Sequence, residues 1–374
     1  MSMTNEQAKS YMTKLLTAMS RAGGSDLFIS NEFPPSMKTH GIMRPMTSQK
    51  LSGEFTRQLA DSLMNPRQRD EFGKELECNF AISIPDVARF RVNAFVQQQH
   101  VGMVIRTIPA EIPDFATLAL PEILKDIVMT NRGLVLVVGA TGSGKSTSLA
   151  AMIDHRNRTS PGHIITVEDP VEFVHRSHQS LITHREVGID THSWHHALKN
   201  TLRQAPDVIL IGEIRDAETM EHAVAFAETG HLCLGTLHAN SANQTIDRII
   251  NFFSEERRNQ LLMDLSSNLK AIVSQRLIRT VDGKGRRAAM EILINTPIIA
   301  ERILKGEFHE IKPIMAKSRE LGMRTFDWSL FELYNDGDIS YDEAIRNADS
   351  ANELRLNIKL NGTRAAPALA LSAS

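Results

Sequence analysis

Hydrophobic and polar positions alternate most plainly between residues 88 and 109, in "ARFRVNAFVQQQHVGMVIRTIP". Phe90, Val92, Ala94 and Val96 occupy one set of positions, and Arg89, Arg91, Asn93 and Phe95 the other. A period of two predicts a half-buried strand, the polar "QQQHVG" a turn, and "MVIRTIP" a returning strand. Residues 1 to about 20 have a helical pattern, and "GGSDLFIS" then turns into a strand. Together these predict a small α/β domain over 1–108. "PAEIPDFATLALP" (109–121) carries three prolines in thirteen residues and reads as a linker. From Glu122 the pattern changes to helix and strand in alternation. The predicted strands are "GLVLVVG", "HIITVE", "DVILIGE" and "HLCLGTLH", with helices between them. That alternation predicts an α/β core with a mainly parallel sheet and helices on both faces, over 122–290. Beyond about residue 255 the patterns read as almost entirely helical, with a helical region assigned to 291–360. The small-residue tail 361–374 is expected to be disordered.

Composition narrows the class. The chain has 374 residues, is 42% hydrophobic and has a net charge of −2. It can bury a sizeable core, and no global basic field draws it to nucleic acid. With two cysteines, Cys78 and Cys233, a four-cysteine zinc module is impossible and a disulfide framework is not expected. No signal peptide is visible, and "GLVLVVGA" is too short to span a bilayer. The expectation is a soluble cytoplasmic protein.

The chemistry begins at "GATGSGKST", which fits G-x-x-x-x-G-K-[ST] from Gly139 to Ser146 and sits between a predicted strand and a predicted helix. Glycines let backbone N–H groups turn toward phosphate oxygens, and the following helix presents its positive end to the same anion. Thr141, Gly142, Ser143, Gly144, Lys145, Ser146 and Thr147 therefore form the expected ATP cradle. Lys145 is placed on the β- and γ-phosphates and Ser146 on Mg²⁺. The apolar run Val208–Ile211 ends in Gly212 and Glu213. If its strand lies beside the phosphate-loop strand, Glu213 stands near the γ-phosphate, able to orient and deprotonate water. Gly212 occupies the place where a second acid is often found. "TVEDPVEF" supplies other acids, Glu168 first and then Asp169 and Glu172; a helix N-cap is the plainer reading of that cluster. His231 and His238 flank another strand. A zinc pair with Cys233 is the weak reading, and a γ-phosphate sensor at His238 the better one. Arg91, Arg106 and Arg203 are candidates to reach a neighbouring subunit's ATP in a ring, although surface ion pairs are the usual fate of such residues.

Taken in order, "GATGSGKST", "TVEDPVEF", "LRQAPDVILIGEIRD" and "AETGHLCLGTLHANSA" resemble the Walker A, Asp box, Walker B and His box of the secretion ATPase superfamily, and closely its type IV pilus retraction branch, the PilT/PilU family. The N-terminal "RFRVNAFVQQ" and "RTIP" match that family's PAS-like domain, so the resemblance covers about residues 5–355. It implies a RecA-like ATPase core, a hexameric ring, Glu213 as catalytic base, Ser146, Glu168 and Glu213 around magnesium, and Arg91 with Arg106 as trans-acting fingers. In that family the Walker B ends in Gly-Glu, so Gly212 is a family trait. Pilus-assembly relatives carry a four-cysteine insert after the counterpart of "SQRLIR"; here the chain runs straight on without cysteines. "IIAERILKGEFHEIKPIM" and "GMRTFDWSLFELYNDGDISYDEAIRNADS" look like PilU, regarded as an accessory to PilT. The resemblance therefore implies a homo-hexamer with a PilT paralogue and the inner-membrane pilus platform protein as partners, at the cytoplasmic face of the inner membrane and held there through those partners. A nucleic-acid motor on the same core would need a basic stripe with aromatics, and only 5% of residues are aromatic. A non-catalytic adaptor of the PilT ring would have no need of Glu213.

Overall fold

In the computed structural model, residues 4–39, 41–108 and 111–364 are described. They divide into two compact units, with the boundary between Glu111 and Ile112.

The first unit is an antiparallel sheet covered by helices. Its strands are β1 (Asp26–Ile29), β2 (Ser36–Thr39), β3 (Ile42–Pro45), β4 (Glu77–Ile84), β5 (Ala88–Gln97) and β6 (His100–Ile108), in the order β3-β2-β1-β6-β5-β4. The alternation in β5 is realised: Phe90, Val92 and Ala94 are fully buried. They pack with Met12, Leu16 and Met19 of the helix Asn5–Arg21 and with Leu59 of the helix Gly53–Leu63. The first helix starts at a capping box: Thr4 and Gln7 each bond the other's backbone N–H, satisfying donors a bare helix end would leave open. Of the expected linker, residues 109–110 lie outside the described residues, and Asp114 caps a short helix, Phe115–Leu118.

The second unit holds a mixed sheet of seven strands. They are β7 (Gly133–Val138), β8 (Gly162–Glu168), β9 (Ser180–Glu186), β10 (Val208–Ile211), β11 (Leu232–Leu237), β12 (Leu269–Arg279) and β13 (Arg286–Ile294). Their order is β13-β12-β7-β11-β10-β8-β9, parallel throughout except for the β12–β13 hairpin. Helices cover both faces. Leu134, Leu136 and Val138 of β7 enter one core, with Ala223 and Ile246; Val135 and Val137 enter another, with Leu149 and Met152.

Three expectations need correction. First, β10 is not beside the phosphate-loop strand β7, because β11 lies between them. Crossover helices free parallel strands from sequence order, so adjacency cannot be read along the chain. Second, the region beyond residue 255 is not almost entirely helical: β12 and β13 stand in it. Val273, Ser274 and Gln275 of β12 are consecutive and all buried, so the strand lacks a period of two. The hairpin turn holds Asp282-Gly283, with Gly283 at φ 67°. Third, an edge strand, β9, follows β8 before the helix Trp194–Thr201. Helices from Pro297 onward then close the unit, and Phe326, Leu330 and Tyr334 pack on Ile278 and Ala289 of the hairpin. Of the tail 361–374, residues 365–374 lie outside the described residues; Thr363 donates to Asn335 Oδ1 at 2.7 Å.

Candidate active site

The strand β7 is buried along its whole length and delivers the glycine loop to the C-terminal edge of the sheet, where ligands gather in open α/β folds. The helix Lys145–Thr159 begins immediately after it, with Gly144 in the left-handed conformation at φ 86°. A Cβ there would be strained, and it would also lie 2.7 Å from Gln275 Nε2 on β12. Lys145 folds back over the loop, donating from Nζ to the carbonyls of Gly139 at 2.8 Å and Ala140 at 2.9 Å. Burial lowers its ammonium below the ordinary value, against the opposing pull of the Glu213 carboxylate.

Lys145 shares a cavity of about 280 Å³ with Thr141, Gly142, Ser146, Glu168, Glu213 and His238. Asp169 and Glu172 also line it. Although β11 separates β10 from β7, Glu213 stands just past the end of β10 and meets His238, just past the end of β11, with Oε1 3.0 Å from Nε2. Its other oxygen accepts from Arg215 at 2.6 Å. Burial is the largest single influence and acts to raise the Glu213 carboxyl, but Arg215, His238 and Lys145 together outweigh it, so the net shift is downward.

Gly212 has a spatial reason. A Cβ on it would lie 3.1 Å from both Cα and Cγ of Glu168, closer than side chains normally approach. A second acid beside Glu213 and a buried Glu168 would compete for one space. The Thr236 hydroxyl donates to the Gly212 carbonyl and ties β11 to this turn. Glu168 accepts from the Glu172 N–H at 3.4 Å. No helix follows it, so the helix-cap reading of "TVEDPVEF" does not apply: residues 171–177 are irregular.

The remaining residues singled out in the sequence fall elsewhere. Ser143 is buried, and Gly144 and Thr147 line a second cavity, of about 880 Å³, together with Gln275. Arg203 is exposed on the turn Leu202–Gln204, ahead of β10 and outside the first cavity. Arg91 and Arg106 face each other across β5 and β6, so both side chains leave the same side of the N-terminal sheet. Arg106 Nε lies 2.9 Å from Asp26 Oδ1 while its side chain stays 69% exposed. His231 and His238 lie at opposite ends of β11, roughly 20 Å apart by strand rise, too far to share an ion. Three contributors are not singled out by the sequence: Arg215, Thr236 and Gln275. Arg215 is visible within "EIRD" as a charge two residues from the acid; Gln275 is hidden in a strand whose pattern reads as helix.

Residues 5–318 match the family described as type II/IV secretion system protein. The chain belongs to that family. It is 59% identical to the type IV pilus ATPase PilU of Pseudomonas aeruginosa, across 93% of this chain and 91% of that one. It is 43% identical to PilT, the type IV pilus retraction ATPase of the same organism, across 89% and 96%. A crystal structure of the pilus retraction motor PilT with bound ADP superposes with a TM-score of 0.85 at 36% identity, covering 93% of this chain and 98% of that one. The PilU-like character expected from the C-terminal pattern is borne out.

One group beside the site is expected to couple the stability of the chain to pH. His175 is buried against the first cavity, its ring stacked on His184. Burial, with the neighbouring His184, lowers its pKa from 6.5 to about 4. Between those values the unfolded chain holds a proton that the native chain lacks. Stability from this residue is therefore complete above pH 6.5 and drains away as the pH falls toward 4, by at most about 1.4 kcal/mol per unit. Urea unfolding at pH 7 and pH 5 should show a smaller loss in His175→Gln than in the natural chain. Parallel losses in the two proteins would refute the assignment.

Proposed function

We propose that this chain is an ATP-hydrolysing subunit of a homo-hexameric motor for type IV pilus retraction, working as an accessory to a PilT-type ring. The observation that carries the reading is the meeting of Lys145, Ser146, Glu168, Glu213 and His238 around one cavity at the C-terminal edge of the sheet. The oxygens of Ser146, Glu168 and Glu213 suit Mg²⁺, a hard cation that takes hydroxyl, carboxylate and water ligands. Bound there with ATP, it would neutralise charge on the phosphates.

The chain's own residues do the rest. Lys145 exchanges the carbonyls of Gly139 and Ala140 for phosphate oxygens, which compete well for a charged donor. Glu213 is held ionised by Arg215 and His238, so it is ready to orient a water and accept its proton. His238, sharing Glu213 with that water, is placed to respond to the γ-phosphate. Arg91 and Arg106, side by side on the N-terminal sheet, serve as the fingers that a neighbouring subunit receives. Recruitment to the cytoplasmic face of the inner membrane runs through the pilus platform protein and the PilT-type partner.

The test separates catalysis from coupling. The purified chain should hydrolyse ATP; absence of turnover, alone and with a PilT-type ring, would sink the enzyme. In a strain whose PilT is catalytically dead, this protein should sustain retraction and Lys145→Ala should stop it. Efficient retraction in a strain lacking PilT altogether would overturn the accessory role.

A further inference from the structure

Away from the cavity, two helices that flank β10 in sequence carry a cluster that the proposed ATPase does not use. His195 lies in the first turn of the helix Trp194–Thr201, and Glu218 and His222 lie on the helix Ala217–Glu228. Glu218 and His222 are four residues apart, so they share one helical face. The two helices are packed together: Ala197 and Leu198 share a core with Ala223, Phe226 and Ala227. That packing turns His195 toward the Glu218–His222 face. One ligand atom from each of the three residues lies within 4.8 Å of the other two, and His195 Nδ1 is in direct contact with Glu218 Oε1.

We propose that His195, Glu218 and His222 bind a divalent transition metal of the zinc type. Two imidazoles and one carboxylate are the protein ligand set of open zinc sites, with water in the fourth position. Ligand atoms on one tetrahedral zinc stand about 3.4 Å apart, as metal–ligand bonds near 2.1 Å require. Rotation of side chains that are half exposed closes the remaining gap: His195 is 49% and Glu218 58% exposed. His222 is the anchored member, its ring stacked on Phe226 with centroids 5.9 Å apart. A surface His–Glu ion pair alone would hold little together. It would also give no reason for a second imidazole to converge on the same carboxylate. The set is selective, because imidazole favours zinc, copper or nickel over Mg²⁺, which takes oxygen ligands. The ion would clamp the helix leading into β10 to the helix leading out of it, five residues beyond Glu213.

Untagged full-length chain, stripped of metal and held in excess Mg²⁺, is titrated with Zn²⁺ against a chromophoric chelator. We expect one Zn²⁺ per chain, a rise in melting temperature on binding, and with Co²⁺ the visible absorption of a four-coordinate site. Loss of an outer hydrogen-bond partner typically weakens a metal site 10- to 100-fold, so loss of a ligand should weaken it at least about tenfold. That is the result expected for His195→Ala, Glu218→Gln and His222→Ala, each judged for folding by circular dichroism. His178→Ala, an exposed histidine outside the cluster, should bind as the natural chain does. No saturable Zn²⁺ binding, binding unchanged in all three ligand variants, or equal loss in His178→Ala would overturn the site.

Discussion

Lys145→Ala is expected to abolish ATP hydrolysis and to weaken nucleotide binding by about 10- to 100-fold, the equivalent of one hydrogen bond to a charged group. The Lys145 ammonium donates to two loop carbonyls, of Gly139 and Ala140. Those contacts hold the side chain over the place where phosphates would lie. Burial lowers the ammonium's pKa, a sign that it is short of solvent, and a phosphate would restore what burial removes. Alanine removes the only side-chain cation of the glycine loop and leaves the backbone cradle and helix N-terminus intact, so some binding should persist. Hydrolysis should not, because charge developing on the transferring phosphoryl group would lose its nearest counter-charge. Fluorescence titration with a labelled ATP analogue checks the first part, and undiminished affinity would sink it. Retained circular dichroism and melting temperature would show that the loop, not the fold, was changed.

Local features are the legible ones. A strand, a glycine loop and a helix adjoin in sequence, so the cradle at Gly139–Ser146 can be read directly. The alternation of β5 marks its buried face. What stays hidden depends on neighbours distant in sequence. Glu213 reaches the phosphate loop around the end of β11, an arrangement that no periodicity encodes. Gly212 is visible as a position without a side chain, but the reason for it, the body of Glu168 standing where a Cβ would need room, lies in the approach of β8 to the end of β10. The hairpin of β12 and β13 reads as helix because its apolar run has no period of two. Gln275, which backs the glycine loop, is lost with it. The edge strand β9 escapes for the opposite reason: Leu181 is 58% exposed while the four residues after it are half-buried, so neither face is marked.

Glu213→Gln is expected to retain nucleotide and lose turnover by about 10²–10⁴, the usual consequence of removing a general base. The amide keeps the size of the carboxylate and can still accept from Arg215, so the turn after β10 should stand. Binding should be unchanged or tighter, since one negative charge near the phosphates is gone. A kcat within about threefold of the natural chain would rule out the role. The same variant probes the ring. If Arg106 acts on a neighbour's nucleotide, an interface needs an arginine from one subunit and Glu213 from the next. Pure Arg106→Ala rings and pure Glu213→Gln rings contain no complete interface. Mixed rings contain some, each pairing an intact arginine with an intact acid, so partial activity should return on mixing. Arg106 must first leave Asp26, whose carboxylate is buried, so the exchange costs on the order of 1–3 kcal/mol, which a hydrogen bond to a charged phosphate oxygen can offset. No recovery in rings verified to be mixed hexamers would count against an arginine reaching across subunits, and would return Arg91 and Arg106 to the ordinary surface of the N-terminal sheet.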